Sequence, residues 1–250
     1  ARAATGRDKV AICGYHGWHD WYLSANLEKK SNLDQHLLSG LSPVGVLKKL
    51  KNSVYPFNYG DFKTLKRLVN QKKIGIIKME VCRSTKPNIN FLKKIKSLCS
   101  KKKIILIFDE CTSGFRTQFG GLHLKYNIKP DLAIFGKALG NGFPITAVVG
   151  KGKIMDSAQD TFISSTFWTE NIGTAAAIKT LEIMNKTKSW LIIQKKEKYI
   201  SKAITNLSKK NKLRISISCL NGIIKFDIKS KIENNYKTFI TQEMLKKRIL

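Results

Sequence analysis

The chain is short of acid. Its 250 residues hold 17 Asp and Glu against 46 Lys and Arg, a formal charge of +29. It has few prolines, 5 in all. No apolar run approaches the roughly 20 residues that a membrane-spanning helix requires. The longest such run, Ile104 to Phe108, has the length of a strand. The stretch from Ala1 to Lys9 is charged and holds no apolar signal core. The five cysteines (Cys13, Cys82, Cys99, Cys111, Cys219) are odd in number, scattered and without CxxC spacing. That pattern argues against a disulfide frame and a zinc site. It suits free thiols in a reducing cytosol, so a cytoplasmic location is expected.

A field of this sign attracts nucleic acid or anionic membrane. The excess is mostly lysine, however, and it is spread along the chain: Lys48-Lys49-Lys51, Lys93-Lys94-Lys96, Lys101-Lys102-Lys103, Lys195-Lys196-Lys198 and Lys209-Lys210-Lys212. Arginine, the preferred fork for phosphate and guanine, is sparse. The expectation is a solvated lysine surface, with neither nucleic acid nor membrane as partner. Such a field still steers small anionic substrates.

What is present is core-forming sequence. Hydrophobic residues make up 42% of the chain, enough for one large domain and part of a second. Strand-like and helix-like runs alternate, which predicts an α/β layer fold with a mainly parallel sheet. Strands are predicted at 10–13, 74–79, 104–108, 132–135 and 146–149. Helices are predicted at 61–71, with Asp61 as a cap, and at 90–99, 173–184 and 191–207. From Leu213 onward the pattern changes to two strands, 214–219 and 222–228, and a helical stretch, 241–247. A large domain is therefore expected over 1–190, and a linking helix with part of a smaller α+β domain over 191–250. The chain opens on Ala1, in what reads as the tail of a helix, and stops at Leu250 after a lysine-rich stretch. A fragment is expected.

Two residues carry the chemistry. Lys137 lies among glycines after the apolar run Leu132 to Phe135, and Asp109 ends the run Ile104 to Phe108. Taken singly, each reads as a surface lysine or a loop-capping carboxylate. Delivered together by two strand ends, where open α/β sheets place ligands, they suit a pyridine-ring aldehyde cofactor. The amine can form a Schiff base with the aldehyde, and the carboxylate can keep the ring nitrogen protonated, so that the ring becomes an electron sink. After the first strand comes Gly14-Tyr15-His16-Gly17-Trp18-His19, whose leading aromatic can lie flat on a planar ring. The pair His16 and His19 lacks a third metal ligand nearby, and aromatic packing is the plainer reading for the residues after Tyr15. The stretch Ser164 to Asn171 precedes a helix. It suits either an anion such as a phosphate or ordinary capping by Thr169 or Asn171. Gly140-Asn141-Gly142 lacks the third glycine of a dinucleotide-binding turn.

These stretches resemble the class III aminotransferases, pyridoxal-phosphate enzymes of fold type I. The resemblance rests on Tyr15-His16-Gly17, on Ile107 through Arg116, on Pro130-Asp131 through Pro144, and on Ser165-Thr166 through Ala176. They occur in the family's order with comparable gaps, over nearly all of residues 1 to 185. The resemblance implies the fold type I large domain, with the start of the small C-terminal domain. It implies pyridoxal 5'-phosphate as cofactor, with Lys137 as the Schiff-base lysine and proton shuttle. Asp109 would pair with the pyridine nitrogen, Tyr15 would stack on the ring, and His16 would support it. Thr166 would bind the cofactor phosphate of a neighbouring subunit, which implies a homodimer with shared sites. Glu80 stands where the family has a Glu-Pro pair near the cofactor, with Val81 in place of the proline. The family's glycine and asparagine beyond that pair are absent from Val81-Cys82-Arg83-Ser84-Thr85. The family's same-subunit phosphate turn would lie before residue 1, and much of the small domain beyond residue 250. The implied activity is amino-group transfer on a small amino or keto substrate, closest to glutamate-1-semialdehyde 2,1-aminomutase. Transfer on an amino sugar or ω-amino acid is one alternative. A non-catalytic basic binding protein is another, from a different class.

Overall fold

A computed structural model describes residues 1–36, 38–82, 86–164, 166–220 and 222–249. Six strands form the main sheet: β1 Val10–Cys13, β2 Val54–Pro56, β3 Ile76–Glu80, β4 Ile105–Asp109, β5 Leu132–Phe135 and β6 Ala147–Gly150. Their order is β2-β1-β3-β4-β5-β6. All neighbours are parallel except β5 and β6. The chain leaves β1 toward β2 on one side and returns to β3 on the other, so strand order reverses between β1 and β3. In open parallel sheets such a reversal opens a crevice at the carboxyl ends of the strands. β2 ends in Pro56, which has no N–H to donate, and it takes the sheet edge, where that loss is tolerated.

The α-helices among the described residues are α1 Arg2–Thr5, α2 Asp20–Leu23, α3 Phe62–Lys72, α4 Ile89–Lys102, α5 Gly152–Asp156, α6 Ile172–Thr187, α7 Ser189–Lys210 and α8 Glu233–Lys246. Helix α3 starts where the Asp61 carboxylate accepts the Thr64 N–H at 2.9 Å, and α4 where Asn88 accepts that of Phe91 at 3.0 Å. Each side chain fills one of the donors that a helix start leaves open. Leu65 and Val69 on α3, and Phe91, Leu92, Ile95 and Leu98 on α4, then bury one face each against Ile77, Met79, Leu106 and Phe108. Each large apolar side chain so covered contributes about 1.5–3 kcal/mol. The opposite face of the sheet, with Val10, Ile12, Ile76 and Ile105, packs against Tyr22, Ala25 and Leu33.

Downstream, β7 Ile215–Leu220 and β8 Ile223–Ile228 pair antiparallel as a separate two-stranded sheet. Among the described residues no helix is long and apolar enough to cross a membrane.

The expected elements all have counterparts, with shifted limits. β3 begins two residues later than its apolar run, because Ile74 and Gly75 act as the lead-in; the Gly75 N–H donates to the Lys9 carbonyl at 3.0 Å. The last helix extends from 241 back to Glu233.

Candidate active site

Four strand ends converge on the crevice. Gly14 and Tyr15 follow β1, Glu80 ends β3, Asp109 ends β4, and Lys137 stands two residues beyond β5. Register fixes the sideways order: Glu80 pairs with Asp109, and Asp109 pairs with Ile134. Five of the six residues singled out from the sequence are thereby brought to one edge.

Asp109 is buried and heavily bonded. Its Oδ2 accepts from His16 Nδ1 at 3.0 Å and lies 3.4 Å from the Lys78 ammonium, while Oδ1 accepts the Cys111 N–H at 3.2 Å. Burial alone pushes its pKa up. The His16 hydrogen bond, the Lys78 charge and the Cys111 amide outweigh that and hold it at about 2. The carboxylate is therefore ionised and accepts only, which fixes the proton of His16 on Nδ1. Burial, and after it the Lys78 charge, depresses the His16 pKa, which keeps the imidazole neutral despite its bond to Asp109.

Lys137 is exposed, and its backbone is left-handed at φ 46. That conformation is uncommon for a residue with a side chain and costs about 1–2 kcal/mol. The turn that carries it continues through Asn141 at φ 45 and Gly142 at φ 108. Lys137 Nζ donates to Thr112 Oγ1 at 3.1 Å, so the turn after β4 also holds the amine. Lys137 lines a cleft of about 690 Å³ with Arg116, Phe143, Ile145 and Met184.

The loop after β1 is held from beneath. Glu80 accepts the Tyr15 N–H at 3.2 Å, His36 Nδ1 accepts the Gly14 N–H at 3.0 Å, and the Tyr22 hydroxyl donates to the Gly14 carbonyl at 3.2 Å. Gly14 has φ 112, and a Cβ there would lie 2.3 Å from the Glu80 carboxylate. Only glycine admits both the conformation and that approach. The Tyr15 ring leans on Trp18, with centroids 5.1 Å apart, and edge-on against Tyr22 at 5.7 Å.

Beneath the turn after β4, Glu110 is fully buried. It accepts from the His123 N–H at 2.9 Å, from His123 Nδ1 at 2.8 Å and from the Ser113 hydroxyl. Asp131 works at the far end of the sheet. It accepts the Leu106 N–H at 2.8 Å and the Lys151 ammonium at 2.6 Å, which pins β5 to β4.

Thr166 lies in the segment before α6, not at a strand end. It is exposed, in a stretch whose Phe162, Ile163, Phe167 and Trp168 are exposed as well. The expected capping by Thr169 or Asn171 is corrected: the Glu170 carboxylate takes the Ile172 and Gly173 N–H groups at the start of α6, the latter at 2.9 Å. Those amides are thus already engaged by an anion of the chain itself. Arg83, Ser84, Thr85 and Ser165 lie outside the described residues. Among the described residues no cluster of His, Cys, Asp and Glu could hold a metal.

Sequence reasoning missed Thr112, His36 and Lys78. Lys78 did leave a signal, a lone cation inside an apolar strand.

A family model for class-III aminotransferases matches residues 13–248. The chain belongs to this family. Class-III aminotransferases are pyridoxal-phosphate-dependent enzymes. Among curated relatives, a 3-aminobutyryl-CoA aminotransferase of Cloacimonas acidaminovorans is 36% identical over 197 residues, 75% of this chain and 44% of the relative. A glutamate-1-semialdehyde 2,1-aminomutase of Chlorobium phaeobacteroides is 30% identical over 266 residues, 98% of this chain and 58% of the relative. The chain thus spans about half the length of the curated relatives it matches. Among solved structures, the PLP internal aldimine form of the FumI protein of Sphingopyxis sp. aligns at a TM-score of 0.77 with 23% identity, covering 90% of this chain and 53% of that one. An omega-transaminase of Sphaerobacter thermophilus aligns at 0.74 with 19% identity, covering 95% and 57%. These likenesses confirm the expected pyridoxal-phosphate transferase fold.

Proposed function

We propose that this class-III aminotransferase chain carries the cofactor-holding half of an enzyme of amino-group transfer. One observation bears most of the weight: neighbouring parallel strands β4 and β5 deliver an ionised carboxylate and an amine to the same crevice. That donor set fits pyridoxal phosphate. When bound, the cofactor supplies an aldehyde that captures amines and a ring that stores an electron pair.

The chain's own residues divide the remaining work. Lys137 would hold the aldehyde, and its amine is the group that could carry a proton to and from the substrate carbon. Asp109 would meet the ring nitrogen as a standing anion, with the His16 hydrogen bond holding its carboxylate in place. Tyr15 forms a wall of the ring site, on a backbone fixed by Glu80 and Tyr22. The cleft beside Lys137 receives the substrate.

Thr166 is assigned to the phosphate of a cofactor in a second copy of the chain. Its exposure beside Phe162, Phe167 and Trp168 supports a homodimer that covers this apolar stretch. A cytoplasmic enzyme is consistent with the free cysteines.

Two substrate readings share this site. Glutamate 1-semialdehyde, isomerised on one carbon skeleton, is supported by 30% identity over 98% of the chain. A β-amino acyl substrate with a separate acceptor is supported by 36% identity over 75%.

Borohydride reduction of the pyridoxal-phosphate-loaded chain, followed by peptide mapping, tests the site. A reduced adduct on Lys137, lost in Lys137→Ala, is the expected result; an unmodified Lys137 peptide would refute the assignment. Product analysis then separates the substrates, since turnover without any added amino acceptor supports the mutase and an absolute need for one excludes it.

A further inference from the structure

Lys78 is out of character for its place. β3 is an interior strand with β1 on one side and β4 on the other. Its neighbours Ile76, Ile77 and Met79 are buried. Side chains alternate along a strand, so Lys78 shares the face of Ile76, where Val10, Ile12, Ile105 and Ile107 pack. Its side chain is only 17% exposed. An ammonium withdrawn from water in such a setting is costly unless it meets an anion.

The anion is Asp109. Lys78 pairs in register with Ile107, two residues before Asp109 on the adjacent strand. Two residues along a parallel strand span about 6.6 Å, which a four-carbon cationic side chain can cover. Lys78 Nζ comes within 3.4 Å of Oδ2, the same oxygen that takes the His16 proton at 3.0 Å. Both donors therefore draw on one carboxylate oxygen, while Oδ1 accepts the amide of Cys111. The other ionisable groups around this carboxylate are His16 from the loop after β1, Glu80 beside it on β3, and Cys111 in the turn after β4. Among the described residues Lys78 is the lysine paired with Asp109.

We propose that Lys78 is a positioning residue that tunes Asp109, offsetting much of its negative field so that a proton on the cofactor's ring nitrogen is held less firmly than Asp109 alone would hold it. The inference rests on reading Asp109 as the partner of that nitrogen. The physical reason is short-range electrostatics: a cation beside the carboxylate turns a bare charge into a dipole, and a dipole stabilises a pyridinium less. The ring remains an electron sink, but a moderated one. The charge is set by the apolar scaffold of β3, not by a group that touches substrate.

The test has two readouts on the full chain. In the cofactor-free protein, the ¹³C resonance of the Asp109 carboxyl is followed with pH. Lys78→Met is expected to raise its midpoint by about one unit, and Lys78→Arg to restore it. In the protein loaded with ¹⁵N-labelled pyridoxal phosphate, the ring-nitrogen resonance is expected to move toward the protonated position in Lys78→Met and to return in Lys78→Arg. Should Lys78→Met fail to fold, Lys78→Gln keeps the length and removes the charge. An Asp109 midpoint unchanged by loss of the charge overturns the proposal. So does a ring resonance that stays fixed while the midpoint moves. An absent borohydride adduct on Lys137, with the Asp109 midpoint still shifted by Lys78→Met, instead refutes the cofactor reading and leaves the coupling of Lys78 to Asp109 in place.

Discussion

Asp109 keeps its charge although it is buried, and that shapes how the chain responds to acid. Its pKa is about 2 in the fold against 3.8 ordinarily. A depressed carboxylate contributes stability that is present above the ordinary value and is lost as pH falls through the folded one. From a shift of this size the contribution is about 2 kcal/mol. His16 acts in the same direction at milder pH. Its pKa is lowered from 6.5, mainly by burial, so the unfolded chain takes up the proton first and stability falls as pH drops below 6.5. Urea unfolding of the cofactor-free chain should therefore show one decline below pH 6.5 and a second between about pH 4 and pH 2. Asp109→Asn is expected to reduce the second, leaving the part due to Asp61 and Asp131, whose carboxyls are also lowered; an unchanged lower limb would mean that the carboxylate is not held as described. Thiols respond differently. Burial pushes Cys99 up to about 12 and Cys111 to about 11, so both stay protonated and unreactive at neutral pH. At this scale Asp109 and Lys137 were legible because a carboxylate and an amine each closed an apolar run. Lys78 was not, since a cation one strand away and two residues back in register meets Asp109 only after the sheet forms.

Helices α3 and α4 show how local signals fix an element and leave its partners open. The Asp61 cap, the spacing of Leu65 and Val69, and the run Phe91, Leu92, Ile95 and Leu98 are readable from the chain, whereas the Asn88 cap was not read from it. Asn88→Ala should cost about 1 kcal/mol in urea unfolding, the usual worth of such a cap. Leu92→Ala, at a fully buried position, should cost about 2–5 kcal/mol. An Asn88→Ala loss as large as that of Leu92→Ala would show that Asn88 does more than cap. Elements with weak local signals were missed or misjudged. β2 is three residues long and contains a proline, so it depends on pairing with β1 and on the burial of Val54 and Tyr55. β6 was found, but its antiparallel direction follows from how the turn after Lys137 folds back, which apolar periodicity does not encode. The start of α6 went to Glu170, because a carboxylate beside two free amides outcompetes the neutral caps Thr169 and Asn171.

Across the whole molecule, apolar surface is unevenly covered. Both faces of the sheet are packed from β1 to β5, whereas Phe162 is 98% exposed, Phe167 76% and Trp168 64%. Exposure on that scale marks a surface that seeks a partner. Under the homodimer proposed above, the chain should sediment at twice its own mass, and the combined change of Phe162, Phe167 and Trp168 to Ser should shift it to a single chain with its helix content unchanged. A wild-type chain that stays single at micromolar concentration, with Lys137 still forming its reduced adduct, would refute the shared site. The positive field acts over the same length scale. With the lysines dispersed over many helix surfaces, it steers anions without forming a binding face.

Alternation of apolar runs and the residues that ended them determined the layer architecture, the order of the elements, and the identity of the amine and carboxylate. These are properties of segments, set by side-chain period and by what interrupts it. Tertiary structure alone decided strand order, the reversal between β1 and β3, and the convergence of His16 and Lys78 on one oxygen of Asp109. Those depend on which strands become neighbours and in what register, and hydrogen bonding between distant segments settles that only once the chain has collapsed.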